Sequence, residues 1–262
     1  MSEAEKLAAA ERREASAKQT RRVNRILKKW LTAVGGFGII IFIILQLVDS
    51  YSFDQAFYRN VYSQLGTAET IGISEADLER STAVLLDYIR DERDDLDVEV
   101  TLADGTVEQM FNEREVAHMI DVKVLYLRAM AVKWIALVVA VLAVAVVIWR
   151  FGFKKALVHL SRGYRVSLIV FGVFVVMLGA YAFLDFDRFW TQFHHLFFSN
   201  DLWILNPLTD RMILMVPSYF FNTLVLKIVA SSLVGIVAVP LVLWLLQKGG
   251  GERYTGTTDG FG

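Results

Sequence analysis

Hydrophobic positions in this chain are concentrated in four long runs, separated by polar stretches of unequal length. The runs begin near Trp30, Met130, Val166 and Phe221. Each is close to the roughly twenty residues that a helix needs to cross the hydrocarbon of a bilayer. The pattern therefore predicts a mainly α, polytopic membrane protein built on a four-helix transmembrane bundle.

Composition supports this class and narrows the chemistry. The chain is 55% hydrophobic and 13% aromatic, with a formal net charge of −1 and a mean hydropathy of +0.44, which is outside the range of ordinary soluble domains. It has no cysteine, which excludes disulfides, a thiolate nucleophile and a cysteine-based metal site. The GxSxG, HExxH, Walker and GxGxxG motifs are absent as well. We expect no nucleic-acid partner.

Charge predicts the orientation in the membrane. The stretch 150–165 between the second and third runs has five Lys and Arg residues and no acidic residue. Because such loops stay in the cytoplasm, both termini are expected inside and segments 49–129 and 185–220 outside the cell membrane. The basic end of the N-terminal segment either contacts anionic headgroups or acts only as a topology signal.

The predicted segments are a charged cytoplasmic helix at 1–29, spans at 30–48, 130–149, 166–184 and 221–246, an extracytoplasmic cap at 49–129, a basic cytoplasmic loop at 150–165, an extracytoplasmic motif loop at 185–220 and a cytoplasmic tail at 247–262. Glycines at 35, 36 and 38 indicate close packing of the first span against its neighbours.

The segment 49–129 is too long for a simple connection and reads as a small α+β cap. Ser74 has the spacing to Asp77 of a capping-box-like helix start. Two short alternating stretches flank Asp104-Gly105, which predicts a hairpin with a tight primed turn. Asn112, followed by Glu115, then starts a helix expected to continue without a break through the second span.

Two histidines from separate segments are expected on one face of the protein. His118 lies twelve residues before the second apolar run, roughly 18 Å along a helix, and His194 lies at the outer end of the third. Asp121, one turn after His118, can orient that ring or stabilise its charged form. Because His195 is adjacent to His194, the sequence leaves open which of these two histidines is the functional one. His159 lies in the basic loop and is incidental.

The stretch 193–210 mixes four aromatics with hydrogen-bonding side chains, which suits a site at the membrane surface, although an interfacial aromatic belt is the plain alternative. Asn200, or a backbone N–H in the Ser199-Asn200 turn, is the candidate hydrogen-bond donor to an oxyanion formed during a reaction. Asp201 and Asp210 fit helix caps or direct roles equally. Lys227 is expected to snorkel or to pair within the bundle.

The segments EREVAHMIDVK at 113–123 and FHHLFFSNDLWILNPLTD at 193–210 resemble the lipoprotein intramolecular transacylase family of Gram-positive bacteria. The resemblance implies four transmembrane helices, an extracellular cap, and transfer of the sn-2 acyl chain of a diacylglyceryl-cysteine lipoprotein to the α-amino group of the same cysteine. It implies diacylated lipoprotein and membrane lipid as partners, with no cofactor, metal or required protein partner. The implied catalytic residues are His118 and His194; supporting residues are Asp121, Asn200, Asp201, Trp203, Asn206 and Asp210.

Rival functions remain. His118, His194, His195 and Asp121 together have the donor types of a metal-dependent hydrolase. A non-enzymatic membrane sensor is a second alternative, because the cap offers surface for a ligand. A transporter is disfavoured, since four spans without a paired internal repeat give little basis for alternating access.

Overall fold

Four long helices dominate the computed structural model, which describes residues 3–249. The four are long and apolar enough to cross a membrane, so the predicted mainly α, polytopic fold is confirmed. In chain order the described elements are α1 (Glu3–Ser52), α2 (Gln55–Leu65), α3 (Thr67–Ile71), α4 (Glu75–Ile89), β1 (Glu99–Thr101), β2 (Val107–Gln109), α5 (Glu113–Phe151), α6 (Phe153–Leu184), α7 (Phe186–Phe197), α8 (Met212–Met215) and α9 (Ser218–Gly249).

The long helices extend beyond the predicted spans. The charged N-terminal segment and the first span form the single helix α1, because no Pro or loop-forming residue separates them. The stretch 150–165, expected to be a loop, is helical apart from Gly152, which ends α5 with a positive φ of 75°. Only glycine adopts that conformation freely, so one residue is enough to separate α5 from α6. Of the predicted tail, residues 250–262 lie outside the described part of the chain.

Two compact units make up the chain. Among the described residues, the first contains 3–42, 135–174 and 235–249, and glycines allow its helices to approach closely. A Cβ on Gly36 would lie 2.6 Å from Ser167 Oγ, and one on Gly38 would lie 2.7 Å from the carbonyl oxygen of Ala136. The predicted close packing of the first span is confirmed, since these contacts leave no room for a side chain.

The second unit consists of residues 43–134 and 175–234 and contains the cap elements. Its core is one buried cluster to which α2, α4, the hairpin, α8 and α9 contribute. Ser74 caps α4 by accepting a hydrogen bond from the backbone N–H of Asp77, as predicted. The capped helix buries Leu78 and Leu85 against the cluster.

The predicted hairpin is confirmed, with β1 and β2 antiparallel and Val100 opposite Glu108. Its turn differs from the prediction, because only Gly105 takes a positive φ, of 86°. The Gly105 N–H donates to the Leu102 carbonyl and the Leu102 N–H donates to that of Thr106. This is a type I turn followed by a glycine bulge, in which Asp104 keeps an ordinary conformation and accepts from the Thr106 N–H.

Candidate active site

His118 is held by the capped start of α5. Asn112 Oδ1 accepts hydrogen bonds from the backbone N–H groups of Arg114 and Glu115, and Glu115 Oε2 accepts from the Asn112 N–H. This reciprocal capping box fixes where the helix begins. His118 follows less than one turn after Glu115 and is 9% exposed. Within residues 3–249 its Nδ1 atom has no hydrogen-bond partner.

His194 lies near the end of α7, a helix that begins at the Asp185 cap. The side chain is 6% exposed, and its Nδ1 lies 2.8 Å from the backbone carbonyl of Trp190, one turn earlier. A carbonyl oxygen can only accept, so Nδ1 must carry the hydrogen. In the neutral ring Nε2 is therefore the unprotonated nitrogen, with its lone pair available.

The two imidazole rings share one aromatic environment, with their centroids 6.5 Å apart. The ring of Phe198 lies 5.5 Å from that of His118 and 5.7 Å from that of His194. Trp203 stacks on His194 at 4.5 Å with an angle of 22° between the planes. Both histidines line a cavity of about 310 Å³, whose other walls include Trp190, Phe220 and Tyr126. One small reacting group in this cavity can reach both rings.

Burial tunes His194 toward its neutral form. Removal from water lowers the pKa of the imidazole, and the neighbouring His195 adds to the decrease, whereas the hydrogen bond to Trp190 opposes it. The net pKa is below the ordinary value of about 6.5. At neutral pH the side chain is consequently uncharged and able to accept a proton.

Asp210 holds the loop between α7 and α8. Its carboxylate accepts from the Asn206 N–H at 2.6 Å, from Asn112 Nδ2 at 2.9 Å and from Thr209 Oγ1 at 2.9 Å. Burial raises its pKa, but these hydrogen bonds, helped by Arg114, outweigh that effect and hold the pKa below its usual value. Of the two roles predicted for Asp210, neither a helix cap nor a cavity-lining position is found, because α8 begins after Arg211 without a side-chain cap. Asp210 instead ties its loop to the start of α5.

The neighbouring polar residues of this loop are arranged around it. The Asp201 carboxylate is largely exposed and lies 3.8 Å from Arg114, whose guanidinium also donates to the Asp201 carbonyl. Asn206 Oδ1 accepts from the Leu208 N–H. Neither Asp201 nor Asn206 lines the cavity that holds the histidines. Both serve the conformation of the loop that carries Trp203.

Asp121 and Asn200 pair with each other. Asn200 Nδ2 donates to Asp121 Oδ2 at 2.8 Å, while Asn200 Oδ1 accepts from the Leu202 N–H. Since His118 Nδ1 has no partner among the described residues, Asp121 does not orient that ring by a hydrogen bond to this nitrogen. Burial lowers the pKa of His118 and the charge of Asp121 opposes the decrease, which is the second effect predicted for Asp121. Asn200 lines a neighbouring groove and not the histidine cavity, which argues against its predicted role as oxyanion donor.

The remaining candidates lie outside the cavity. His195 is exposed and meets the edge of Trp203 at 5.4 Å, so His194 is the member of the pair that faces inward. His159 packs on Phe151 in the other unit. Lys227 donates to Asp54 at 3.2 Å, as predicted for a paired lysine. Within residues 3–249 no three His, Asp or Glu side chains are grouped to bind one metal ion.

Sequence reasoning missed three residues of the site. Trp190 was overlooked although its position, four residues before His194 on a helix, is the signal that its carbonyl can accept from that histidine. Phe198 was treated only as one of several aromatics. Glu115 was noted as a helix-start residue, but its 1% exposure and its second hydrogen bond, from the Met212 N–H to Oε1, depend on tertiary structure.

These features define an integral membrane protein of four apolar helices in which a buried histidine pair lines an aromatic cavity. The sequence model of the lipoprotein intramolecular transacylase Lit matches residues 33–221. The chain belongs to this family of lipoprotein intramolecular transacylases and is an acyltransferase. No curated protein matches the sequence.

Solved structures of the membrane integral lipoprotein intramolecular transacylase Lit from Bacillus cereus have the same fold. One is 20% identical, with a TM-score of 0.66, and the match covers 87% of this chain and 98% of that chain. A variant with one histidine replaced by arginine is 18% identical, with a TM-score of 0.69 and coverage of 89% and 99%. A variant with alanine at a histidine position is 19% identical, with a TM-score of 0.64 and coverage of 87% and 96%.

Proposed function

We propose that this protein moves the sn-2 acyl chain of a diacylglyceryl-cysteine lipoprotein onto the α-amino group of the same cysteine, with His194 and His118 as the catalytic residues. The observation that carries the proposal is the fixed tautomer of His194, in a cavity that also contains His118. The family supplies the class of reaction.

His194 acts as the general base. Nε2 is the free nitrogen of the neutral ring, because Nδ1 donates to Trp190, and the lowered pKa keeps the ring neutral at pH 7. The substrate amine attacks the ester carbonyl as it transfers a proton to Nε2. Trp203 on the face of the ring and Trp190 at its edge keep it in position for that transfer.

His118 delivers the proton that completes the exchange. Attack forms a C–N bond and a tetrahedral oxyanion, and collapse breaks the C–O bond to the glyceryl oxygen. The leaving alkoxide takes the N–H proton of neutral His118, and the proton that His194 took from the amine then passes to His118, so that both imidazoles end the cycle neutral. The net change is one amide formed and one ester converted to an alcohol, with no atom gained or lost.

The cavity supplies the proximity that an intramolecular transfer requires. Donor ester and acceptor amine belong to one molecule, so the enzyme must fold them together, and pre-positioning of this kind contributes roughly 7–11 kcal/mol. The aromatic walls at Trp190, Trp203 and Phe220 exclude water, which would otherwise hydrolyse the ester. Asp201, Asn206 and Asp210 contribute indirectly by holding the loop that carries Trp203.

The reaction is placed at the outer leaflet of the cell membrane, with both termini in the cytoplasm. The support is the basic stretch 150–165, which favours the cytoplasmic side. The chain has no cysteine, so a thiol reagent would label only a cysteine introduced by substitution. On intact cells an impermeant thiol reagent should label Glu92→Cys and spare Lys155→Cys; both side chains are exposed. The reverse labelling would contradict this orientation.

Histidine-to-asparagine variants test the catalytic assignment. Asparagine keeps a hydrogen bond but exchanges no proton near neutral pH, so His118→Asn and His194→Asn should each reduce transfer by about 10²- to 10⁴-fold while the protein still accumulates in the membrane. His159→Asn should be silent, and His195→Asn should retain most activity. Full activity of both His118→Asn and His194→Asn would refute acid–base catalysis and favour a binding role.

A further inference from the structure

A second apolar recess lies beside the histidine cavity in the same unit. We call it the Asp121 groove; its volume is about 660 Å³. α5 supplies most of one wall and the end of α7 with the residues after it supplies another. The groove is lined by Leu45, Asp121, Val124, Leu125, Arg128, Ala129, Val132, Leu196, Phe197, Phe198, Ser199 and Asn200.

The groove is continuous with the site through Phe198. This ring lines the groove and also contacts both His118 and His194. A molecule in the groove is thus separated from the histidines by one side chain.

The groove has the Asp121 carboxylate at one end, and beyond it the lining along α5 is mainly apolar, with Arg128 as the charged exception. The Asp121 carboxylate, paired with the Asn200 amide at 2.8 Å, stands at the end nearest His118. From there α5 presents Val124, Leu125 and Ala129 and then Val132, eleven residues after Asp121, or roughly 16 Å of helix. Val124 and Val132 are 41% and 49% exposed, so a ligand would remove apolar surface from its surroundings.

We infer that the Asp121 groove binds the retained acyl chain of the diacylglyceryl-cysteine substrate, the chain that stays on the glyceryl group, while the transferred chain enters the histidine cavity. This inference rests on the proposed function, since that substrate has two chains and one ammonium group. The negative charge of Asp121 complements the α-ammonium of the lipidated cysteine and sets which end of the groove faces the histidines. Arg128, exposed at the rim, is placed to meet the ester carbonyl oxygens.

Occupation of the groove explains how one of two similar ester groups is selected. If one chain lies along α5 and the amine lies near Asp121, only the other ester can enter the cavity between His118 and His194. The Asp121 groove therefore determines which position reacts, in addition to contributing binding energy. A groove filled by bulk membrane phospholipid would have no such effect on the reaction.

The test compares two synthetic diacylglyceryl-cysteinyl peptides with the same long sn-2 chain. One carries a long retained chain and the other a retained acetyl group. Wild-type protein should favour the long-chain peptide by a KM difference on the order of tenfold or more, because only the long chain can pack along Val124, Leu125 and Ala129. Ala129→Phe fills the groove and should remove most of this preference. Ala131→Phe, an exposed residue of α5 outside the groove, is the matched control and should keep it.

Leu125→Ala is the second variant, because it widens the groove without adding bulk and should also weaken the preference. A wild-type protein that does not distinguish the two peptides would overturn the inference, as would an Ala129→Phe variant that keeps the full preference, the result expected if phospholipid fills the groove. Failure of the proposed function has a different signature, in which neither peptide gives an N-acylated product with the wild-type protein. In that case the inference falls with it.

Discussion

Replacing Asp210 by asparagine should destabilise the protein measurably, although this residue lies outside the histidine cavity. Oδ2 accepts from the Asn206 N–H, and Oδ1 accepts from Asn112 Nδ2 and Thr209 Oγ1. In Asp210→Asn one oxygen can keep the second pair of contacts, but the new amide then places a donor against the Asn206 N–H. A hydrogen bond to a charged group contributes about 1.5–3 kcal/mol, and an unsatisfied buried donor adds a further cost. We expect a loss of about 2–4 kcal/mol in the free energy of unfolding.

The assay is thermal unfolding in detergent at one fixed scan rate, followed by tryptophan fluorescence. A loss of this size corresponds to a decrease in Tm of roughly 4–16 °C for a chain of this length. Asp201→Asn is the control, because this carboxylate is in the same loop but its side chain is 78% exposed, and it should change stability by no more than about 0.5 kcal/mol. Equal Tm values for the two variants would refute the assignment of Asp210 as the residue that holds the loop.

The pH dependence of this effect has a definite sign. The pKa of Asp210 is lowered in the folded protein, so its charged form stabilises the fold at pH values above the unfolded pKa of about 3.9. That contribution is lost as the pH falls through the lower, folded pKa. Wild-type protein and Asp210→Asn should therefore converge in stability in strong acid, and a difference that grows on acidification would contradict the linkage.

Two further predictions concern the base and the helix packing. With neutral His194 as the proposed base and its pKa lowered, activity should fall with acid only below about pH 6.5. His195→Gln removes one cause of the lowered pKa and should move this decrease in activity to higher pH, whereas an unchanged pH profile would show that His194 is not the titrating group. Gly163→Ala would place a Cβ against Thr32 Cβ and Oγ1 and should lower the free energy of unfolding by about 1–3 kcal/mol. Gly172→Ala has no described atom within 4 Å of its Cβ and should leave thermal stability unchanged or increase it.

The sequence predicted the elements whose signals are local. Runs of about twenty apolar residues, the Ser74 cap and the Asn112–Glu115 start of α5 each depend on residues close together in the chain, and the structure contains all of them. The prediction of a loop at 150–165 was wrong, because the local sequence there favours a helix. Its basic residues are good helix formers and only Gly152 interrupts them, so charge indicated a side of the membrane but not a break in the helix.

In the candidate site, the closeness of the two histidines was predictable from the sequence, but the hydrogen bonds of the residues around them were not. Topology alone brings His118 and His194 together, and the 6.5 Å between their rings agrees with that expectation. Two hydrogen bonds illustrate this, one between Asn200 and Asp121 and one between Asn112 and Asp210. Each joins residues about 80 to 100 positions apart in the chain. No local sequence pattern predicts these hydrogen-bond partners, because the sequence offers each donor several chemically equivalent acceptors.

The central claim, an intramolecular acyl shift, is tested most directly by a crossover measurement. Two diacylglyceryl-cysteinyl peptides of different sequence, one with light and one with deuterated acyl chains, are incubated together with the purified protein, and the products are analysed by tandem mass spectrometry. The account predicts that each peptide keeps its total mass while one chain of its own isotope type moves to the α-nitrogen, and that His194→Asn shows no such product. Peptides carrying a chain of the other isotope type, or a gain of one chain in mass, would contradict it.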